Sequence, residues 1–111
     1  MQNPKFSIFK SSINSQYYFR LRSANGEIIL NGEGYTVKQS CINAIASVKV
    51  NASLDAGYER KDNGSSYTFN LKAANGEIIG RSESYTSAYA RENGIAAVKR
   101  DAPYAPTEDL S

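Results

Sequence analysis

Residues 17–52 and 67–102 are one sequence written twice. Laid over each other at an offset of 50 in the numbering, half of the aligned positions are identical, including the stretch Ala-Asn-Gly-Glu-Ile-Ile in both copies. Shared secondary structure alone does not produce that level of identity, so the chain is a doubled unit and its fold must be one that two similar halves can build together. A chain of 111 residues has room for a single modest core. The expectation is one domain spanning 1–111, with repeat 1 at about 5–52, repeat 2 at about 58–102 and a tail at 103–111.

Within each copy the hydrophobic period changes once. KFSIFK at 5–10 places Phe6 and Ile8 on one side of an extended segment. From Tyr17, the residues Tyr17, Phe19 and Leu21 alternate with Tyr18, Arg20 and Arg22, as in a half-buried strand. Asn25-Gly26 and Asn75-Gly76 then signal hairpins, read here as two-residue type I′ turns. That turn opposes Arg20 to Asn31, Leu21 to Leu30 and Arg22 to Ile29, so it turns Ile28 and Leu30 inward and Ile29 outward. In the second copy Ile78 points inward and Ile79 outward. Gly80 then faces Leu71 and leaves room for a helix to approach.

The period next becomes helical. Thr36-Val37-Lys38-Gln39 has the form of a capping box, and Val37, Cys41, Ala44, Ile45 and Val48 make one stripe. The second helix is expected from Thr86, with Ala90, Gly94, Ile95, Ala97 and Val98 buried. Residues 51–57 read as a linker and Tyr58 to Lys61 as the counterpart of KFSIFK. The proline-bearing tail is expected to be frayed or to form a short edge strand near Thr107. Each unit is strand, strand, strand, helix, and about 50 residues of that kind bury too little to stand alone. Two units sharing one antiparallel sheet, with both helices on a single face about a pseudo-two-fold, make one core.

Composition narrows the function classes. Hydrophobic and charged fractions of 41% and 22% are ordinary for a globular protein. No apolar run approaches the roughly 20 residues of a membrane span, and the first residues do not read as a secretory signal. Cytoplasmic location and no membrane association are therefore expected. A net charge of +2 does not by itself call for a polyanionic partner. The chain has no histidine, which removes the commonest neutral-pH base and a common metal ligand. The lone Cys41 has no partner within the chain and lies on the buried stripe of the first helix, where a thiol acts as a small hydrophobe.

The pattern Phe-x-Leu-[Lys/Arg]-[Ala/Ser]-Ala-Asn-Gly-Glu-Ile-Ile, then Glu-x-Tyr-Thr, then Ile-Ala-x-Val-Lys recurs at 19–29, 33–36 and 45–49, and again at 69–79, 83–86 and 95–99. It resembles the YegP-like family of small, mostly bacterial proteins of unknown function. The resemblance covers nearly the whole chain. It implies an α+β fold of two tandem β-β-β-α(-β) units sharing one sheet, with the strand after each helix exchanged between units. It also implies that single-repeat relatives reach the same arrangement as homodimers, which this chain would mimic as a monomer. The family brings no established catalytic or binding residues.

The residues themselves favour a non-enzyme. The serines and threonines lack an evident base, and the repeated Glu27/Glu77 and Glu33/Glu83 fall at turns and strand ends. No tetrahedral N/S cluster, calcium loop or phosphate-binding glycine pattern is present, so neither cofactor nor metal is expected. The candidate for function is the sheet face that the helices leave open, with Tyr18, Arg20 and Arg22 from one copy, Lys72 and Arg81 from the other, and Phe9 nearby. Such a face suits a protein partner. The alternative is weak binding of single-stranded nucleic acid through Tyr18, Arg20, Arg22 and Lys72, by stacking and phosphate pairing. Set beside both is the ordinary solvated face of an antiparallel sheet, with Glu33 and Glu83 repelling phosphate. Tyr35 and Tyr85, just before the two helices, read as packing residues in preference to paired pockets.

Overall fold

The computed structural model describes residues 3–111; Met1 and Gln2 lie outside the described residues. Among these residues seven strands and two α-helices follow in the order β1 (Lys5–Lys10), β2 (Tyr17–Arg22), β3 (Ile28–Asn31), α1 (Lys38–Asn51), β4 (Tyr58–Asn63), β5 (Ser66–Lys72), β6 (Ile78–Arg81), α2 (Ala88–Asp101) and β7 (Thr107–Asp109), with a single 3-10 turn at Asp55–Gly57 before β4. The strands form one sheet in the order β4-β5-β6-β3-β2-β1-β7. Its centre is the antiparallel pairing of β3 with β6 at Asn31 opposite Arg81, two positions related by the 50-residue offset. The pseudo-two-fold passes there. The bridges Tyr17–Tyr35 and Tyr67–Tyr85 repeat the same closure in each half.

Both helices lie on one face and straddle the central seam. Helix α1 packs on β2 and on β5 and β6, while α2 packs on β3 and β5. Phe6, Ile8, Phe19, Leu21, Leu30, Phe69 and Leu71 of the sheet meet Cys41, Ile45 and Val48 of α1 and Ile95 and Val98 of α2 in one buried cluster. Each large apolar side chain buried in this way contributes roughly 1.5–3 kcal/mol. Because each helix covers strands of both repeats, neither half closes a core by itself.

The sheet is mixed where the sequence reading has it antiparallel. Strand β7 runs parallel to β1, with Thr107, Glu108 and Asp109 beside Phe6, Ser7 and Ile8. The chain after α2 therefore crosses to the repeat-1 side, and the chain after α1 forms β4, which pairs with β5 of the second repeat. Strand β7 thus crosses between the halves, whereas β4, the first strand of repeat 2 by the bounds above, pairs with the strand that follows it, so the exchange implied for both strands is seen for β7.

The hairpins correct the expected register. Gly26 N–H donates to Ser23 O, Ser23 N–H donates to Glu27 O, and the Asn25 side chain accepts from Glu27 N–H. Only Gly26 in this turn has positive φ, at 85°, so it is a three-residue loop with glycine at the bulge position and not a type I′ turn. The second copy repeats it at Ala73, Asn75, Gly76 and Glu77. A bulge then follows: Leu21 still faces Leu30, but Arg22 faces Ile28. Two residues of β3 thus stand opposite one step of β2, and Ile29 and Leu30 are both buried. Ile28, expected inside, is the half-buried partner of Arg22 on the open face. Ile78 and Ile79 behave alike, with Lys72 facing Ile78 and Ile79 buried. The space above Gly80 is filled by Leu30 from across the seam: a Cβ there would come within 2.7 Å of the leucine side chain.

The helix starts also differ from expectation. The N-cap of α1 is Val37, with no side-chain hydrogen bond, so the Thr36–Gln39 capping box does not form. The cap of α2 is Ser87, one residue after Thr86, and its hydroxyl accepts from Ala90 N–H at 3.0 Å.

Candidate binding face

Alternation along the antiparallel ladders, interrupted by the bulges opposite Arg22 and Lys72, decides what the open face displays. Cross-strand partners project to the same side. From the centre outward on the repeat-1 side these are Asn31 and Ile28 of β3, then Tyr18, Arg20 and Arg22 of β2, then Phe9, Ser7 and Lys5 of β1. On the repeat-2 side they are Arg81 and Ile78 of β6, then Asn70 and Lys72 of β5, then Glu59 of β4. All five predicted residues, Tyr18, Arg20, Arg22, Lys72 and Arg81, thus share one surface. They do not form one site.

The two halves differ in charge chemistry, and register shows why. Ser7 faces Arg20 as Glu59 faces Asn70, so Ser7 and Glu59 are equivalent places in the two halves. Glu59 binds the Lys72 ammonium at 2.9 Å and the Asn70 amide at 3.0 Å, and these bonds draw its carboxyl down to about 2. Arg81 reaches across the seam to Glu33 at 2.7 Å, and Asn31 donates to Glu83 at 3.3 Å. The cations of the second half are therefore already neutralised. In the first half a serine stands in place of the carboxylate, and neither Arg20 nor Arg22 makes an ion pair among the described residues.

What Arg20 has instead is an aromatic partner. Its guanidinium lies 4.4 Å from the centre of the Phe9 ring, and Phe9 in turn stacks on Tyr18 with centroids 5.8 Å apart and planes inclined by 17°. Tyr18 Oη accepts from the Asn14 amide at 2.9 Å, and Arg22 donates to Gly26 O at 3.0 Å. A cation over a ring face at this range is attracted by roughly 0.5–1 kcal/mol at an exposed site and is held in a defined orientation. Two shallow depressions flank the stack. One, of about 340 Å3, is lined by Phe9, Ser11, Tyr18, Arg20 and Asn31. The other, of about 210 Å3, is lined by Lys5, Phe9, Arg20, Arg22, Glu108 and Leu110. Preoriented Arg20 and Arg22 can donate forked hydrogen bonds to a carboxylate or phosphate, while the rings cover apolar surface.

Sequence reasoning found Tyr18, Arg20 and Arg22 and placed Phe9 only nearby. It missed the role of Ser7 against Glu59, because the 50-residue offset sets Glu59 against Phe9 and only the ladder register gives it the place of Ser7. It did not anticipate Glu108 and Leu110, because nothing local says beside which strand the tail lands. The other candidates are packing residues. Cys41 is fully buried and burial, with Asp109 adding to it, pushes its thiol up to about 11, so it is protonated at neutral pH. Tyr85 stacks on Phe69 and lies over the backbone of Gly94, where a Cβ would meet its hydroxyl. Burial raises the phenols of both Tyr35 and Tyr85.

The doubling of the chain matches a described family. The model for a domain of unknown function, DUF1508, matches twice, at 13–59 and 62–109. The chain belongs to the DUF1508 family. Among curated relatives it is 50% identical over 50 residues to a UPF0339 protein of the ptx operon 5′ region of Stutzerimonas stutzeri, and 48% identical over 54 residues to the UPF0339 protein YegP of Yersinia pestis. The matched stretch spans about half the length of these relatives, 45% and 48%. A shorter relative, the UPF0339 protein Atu5359 of Agrobacterium fabrum, is 46% identical over 48 residues, which make up 76% of its length and 43% of this DUF1508 chain. Two solution structures share the fold throughout, both with a TM-score of 0.91 and 41% identity. These are the UPF0339 protein SO3888 of Shewanella oneidensis, covering 96% of this chain and 91% of that one, and yegP of E. coli, a protein of unknown function, covering 99% and 95%.

Proposed function

We propose that this DUF1508 chain is a non-catalytic cytoplasmic binding module that engages a protein partner through the repeat-1 half of its open sheet face. One observation carries the reading: Ser7 replaces the carboxylate that Glu59 supplies in the other half, leaving Arg20, stacked on Phe9, and Arg22 without an acidic partner among the described residues. A duplicated scaffold that keeps its core and differs in open-face charge has one half closed by internal ion pairs and one half prepared for an external acid. Tyr18, Arg20 and Arg22 are the binding residues of this reading, whereas Lys72 and Arg81 hold the second half neutral. The crossing of β7 and the packing of each helix on strands of both repeats support a single folding unit over the described residues. They also support a monomer that stands for two copies of a shorter relative such as the Agrobacterium protein, 76% of which is matched by one 48-residue stretch. Among the described residues no helix is long and apolar enough to cross a membrane.

The test is a comparison of two double variants in affinity capture. Arg20→Ala with Arg22→Ala should abolish capture of the partner, while Lys72→Ala with Arg81→Ala should leave it within about two-fold. Equal capture by both would remove the reading. The same face could serve single-stranded nucleic acid, a reading favoured by the Arg20–Phe9–Tyr18 stack and opposed by the carboxylates Glu33 and Glu83 at the central seam and Glu59 in the other half. Fluorescence anisotropy with a labelled single strand at two salt concentrations separates the two. Salt-steep binding that depends on Arg20 and Arg22 would assign the face to nucleic acid.

A further inference from the structure

The last strand has no counterpart in the other half. At the 50-residue offset β7 corresponds to the start of β4, and β4 pairs antiparallel with β5. The equivalent place beside β2 is occupied by β1, in matching register: Phe6 faces Leu21 as Tyr58 faces Leu71. Strand β7 is thereby displaced to the outer edge of β1, where it pairs in parallel over three residues. All three are exposed, so β7 adds nothing to the core.

What holds β7 is polar and local. Phe6 N–H donates to Pro106 O and Leu110 N–H to Ile8 O, each at 2.8 Å. Lys5 pairs with Glu108 at 3.1 Å and Lys38 with Asp109 at 3.0 Å, all four side chains being more than a third exposed. Exposed pairs of this kind contribute little, and a short edge strand without buried side chains belongs to the least stable part of a fold. Yet the tail is seated on the candidate face. Glu108 lies beside Ser7, and Leu110 lines the depression with Phe9, Arg20 and Arg22.

From this geometry we infer that β7 is a displaceable occupant of a strand-addition site, and that the partner is an extended acidic peptide segment which takes its place on β1. The inference rests on the open-face reading and names its ligand class. The β1 backbone supplies parallel ladder bonds at Phe6–Ile8, and the alternation of the peptide supplies specificity. An acidic residue opposite Ser7 meets Lys5 and the unpaired arginines, and an apolar residue two positions later covers Phe9. Charge complementarity selects the acid: Lys5, Arg20 and Arg22 face this groove against Glu108 alone.

A labelled peptide with the tail's own sequence, residues 105–111 (APTEDLS), tests it by fluorescence anisotropy against the full chain. Glu108→Ala with Leu110→Ala weakens the internal occupant without touching the core and should tighten peptide binding at least several-fold. Adding Arg20→Ala with Arg22→Ala should abolish the gain, and a charge-reversed peptide (APTKKLS) should not bind. In the unaltered chain, saturating peptide should cost the Leu110 amide its protection from hydrogen exchange while the Leu21 and Leu71 amides keep theirs. Absence of binding to the Glu108/Leu110 variant, or equal binding of the charge-reversed peptide, overturns the inference. If the peptide fails while a labelled single-stranded DNA binds in an Arg20-dependent manner, the strand-addition site is wrong but the open face remains the binding surface. Tail exchange between two copies would appear as a concentration-dependent dimer in sedimentation, and it likewise overturns replacement by a separate peptide.

Discussion

Gly80 is where the two repeats depend on each other most directly at the level of single residues. Its counterpart in the first copy is Leu30, and the leucine side chain fills the space that the glycine leaves across the seam. Gly80→Ala should therefore cost ~1–3 kcal/mol, because the added methyl meets Leu30 Cγ and both terminal methyls at under 3 Å. Leu30→Ala should cost ~2–5 kcal/mol through the cavity it opens. In the Leu30→Ala background the penalty of Gly80→Ala should vanish, a coupling that a double-mutant cycle by urea denaturation measures. The same exchange of roles separates Cys41, a small buried thiol, from its counterpart Arg91. That arginine is buried along its stem and pairs with Asp62 of β4.

Among the elements, the two helices offer an internal comparison. They have equal length and share Asn, Ile, Ala, Val and Lys at matching places, but α2 is capped by Ser87 and α1 begins at Val37 without a side-chain cap. Ser87→Ala should lower stability by ~1 kcal/mol, and Val37→Asp should raise it by a similar amount, since an aspartate accepts the free N–H groups and complements the helix dipole. Thermal unfolding followed by circular dichroism should show shifts of opposite sign. The valine is more than half exposed, so the replacement opens no cavity. The type and order of the strands and helices were legible from the alternation and the 3.6-residue stripe, because side-chain direction repeats regularly within an element. The ends were not. Thr36 with Gln39 has the chemistry of a capping box, yet the bridge of Tyr17 to Tyr35 sets how the chain enters the helix and moves its start by one residue. The hairpin misled for a similar reason: Asn-Gly suits more than one turn, and burial of both Ile29 and Leu30 selects the bulged one.

At the scale of the whole molecule, acidic groups tie the halves and the edges together. Lys72 and Asn70 draw Glu59 from 4.5 to about 2, and Ser111 with Lys38 draws Asp109 from 3.8 to about 2. Lys99 and Arg60 likewise lower Asp55. A carboxyl depressed in the folded state adds stability above its unfolded value and loses that contribution as pH falls through the folded one. Urea midpoints should accordingly hold steady from about pH 8 to 5 and decline between roughly pH 4.5 and 2, and Glu59→Gln should make the decline shallower. The opposite limb belongs to Cys41, raised by burial from 9.0 to about 11. Its contribution is complete below the unfolded value and lost as pH climbs through that interval.

The sequence by itself determined that the chain is two copies of a strand-rich unit with one helix each, and that Tyr18, Arg20 and Arg22 share a face. Repetition and periodicity are local properties, and a chain carries them wherever it goes. Only the tertiary structure decided that Ser7 stands where Glu59 stands in the other half, that Leu30 fills the place of a side chain at Gly80, and that the tail lies on β1. Each of these is a pairing between residues distant in the chain, chosen by which arrangement buries the apolar faces of both repeats at once. The charge left open beside Phe9 is a consequence of that choice.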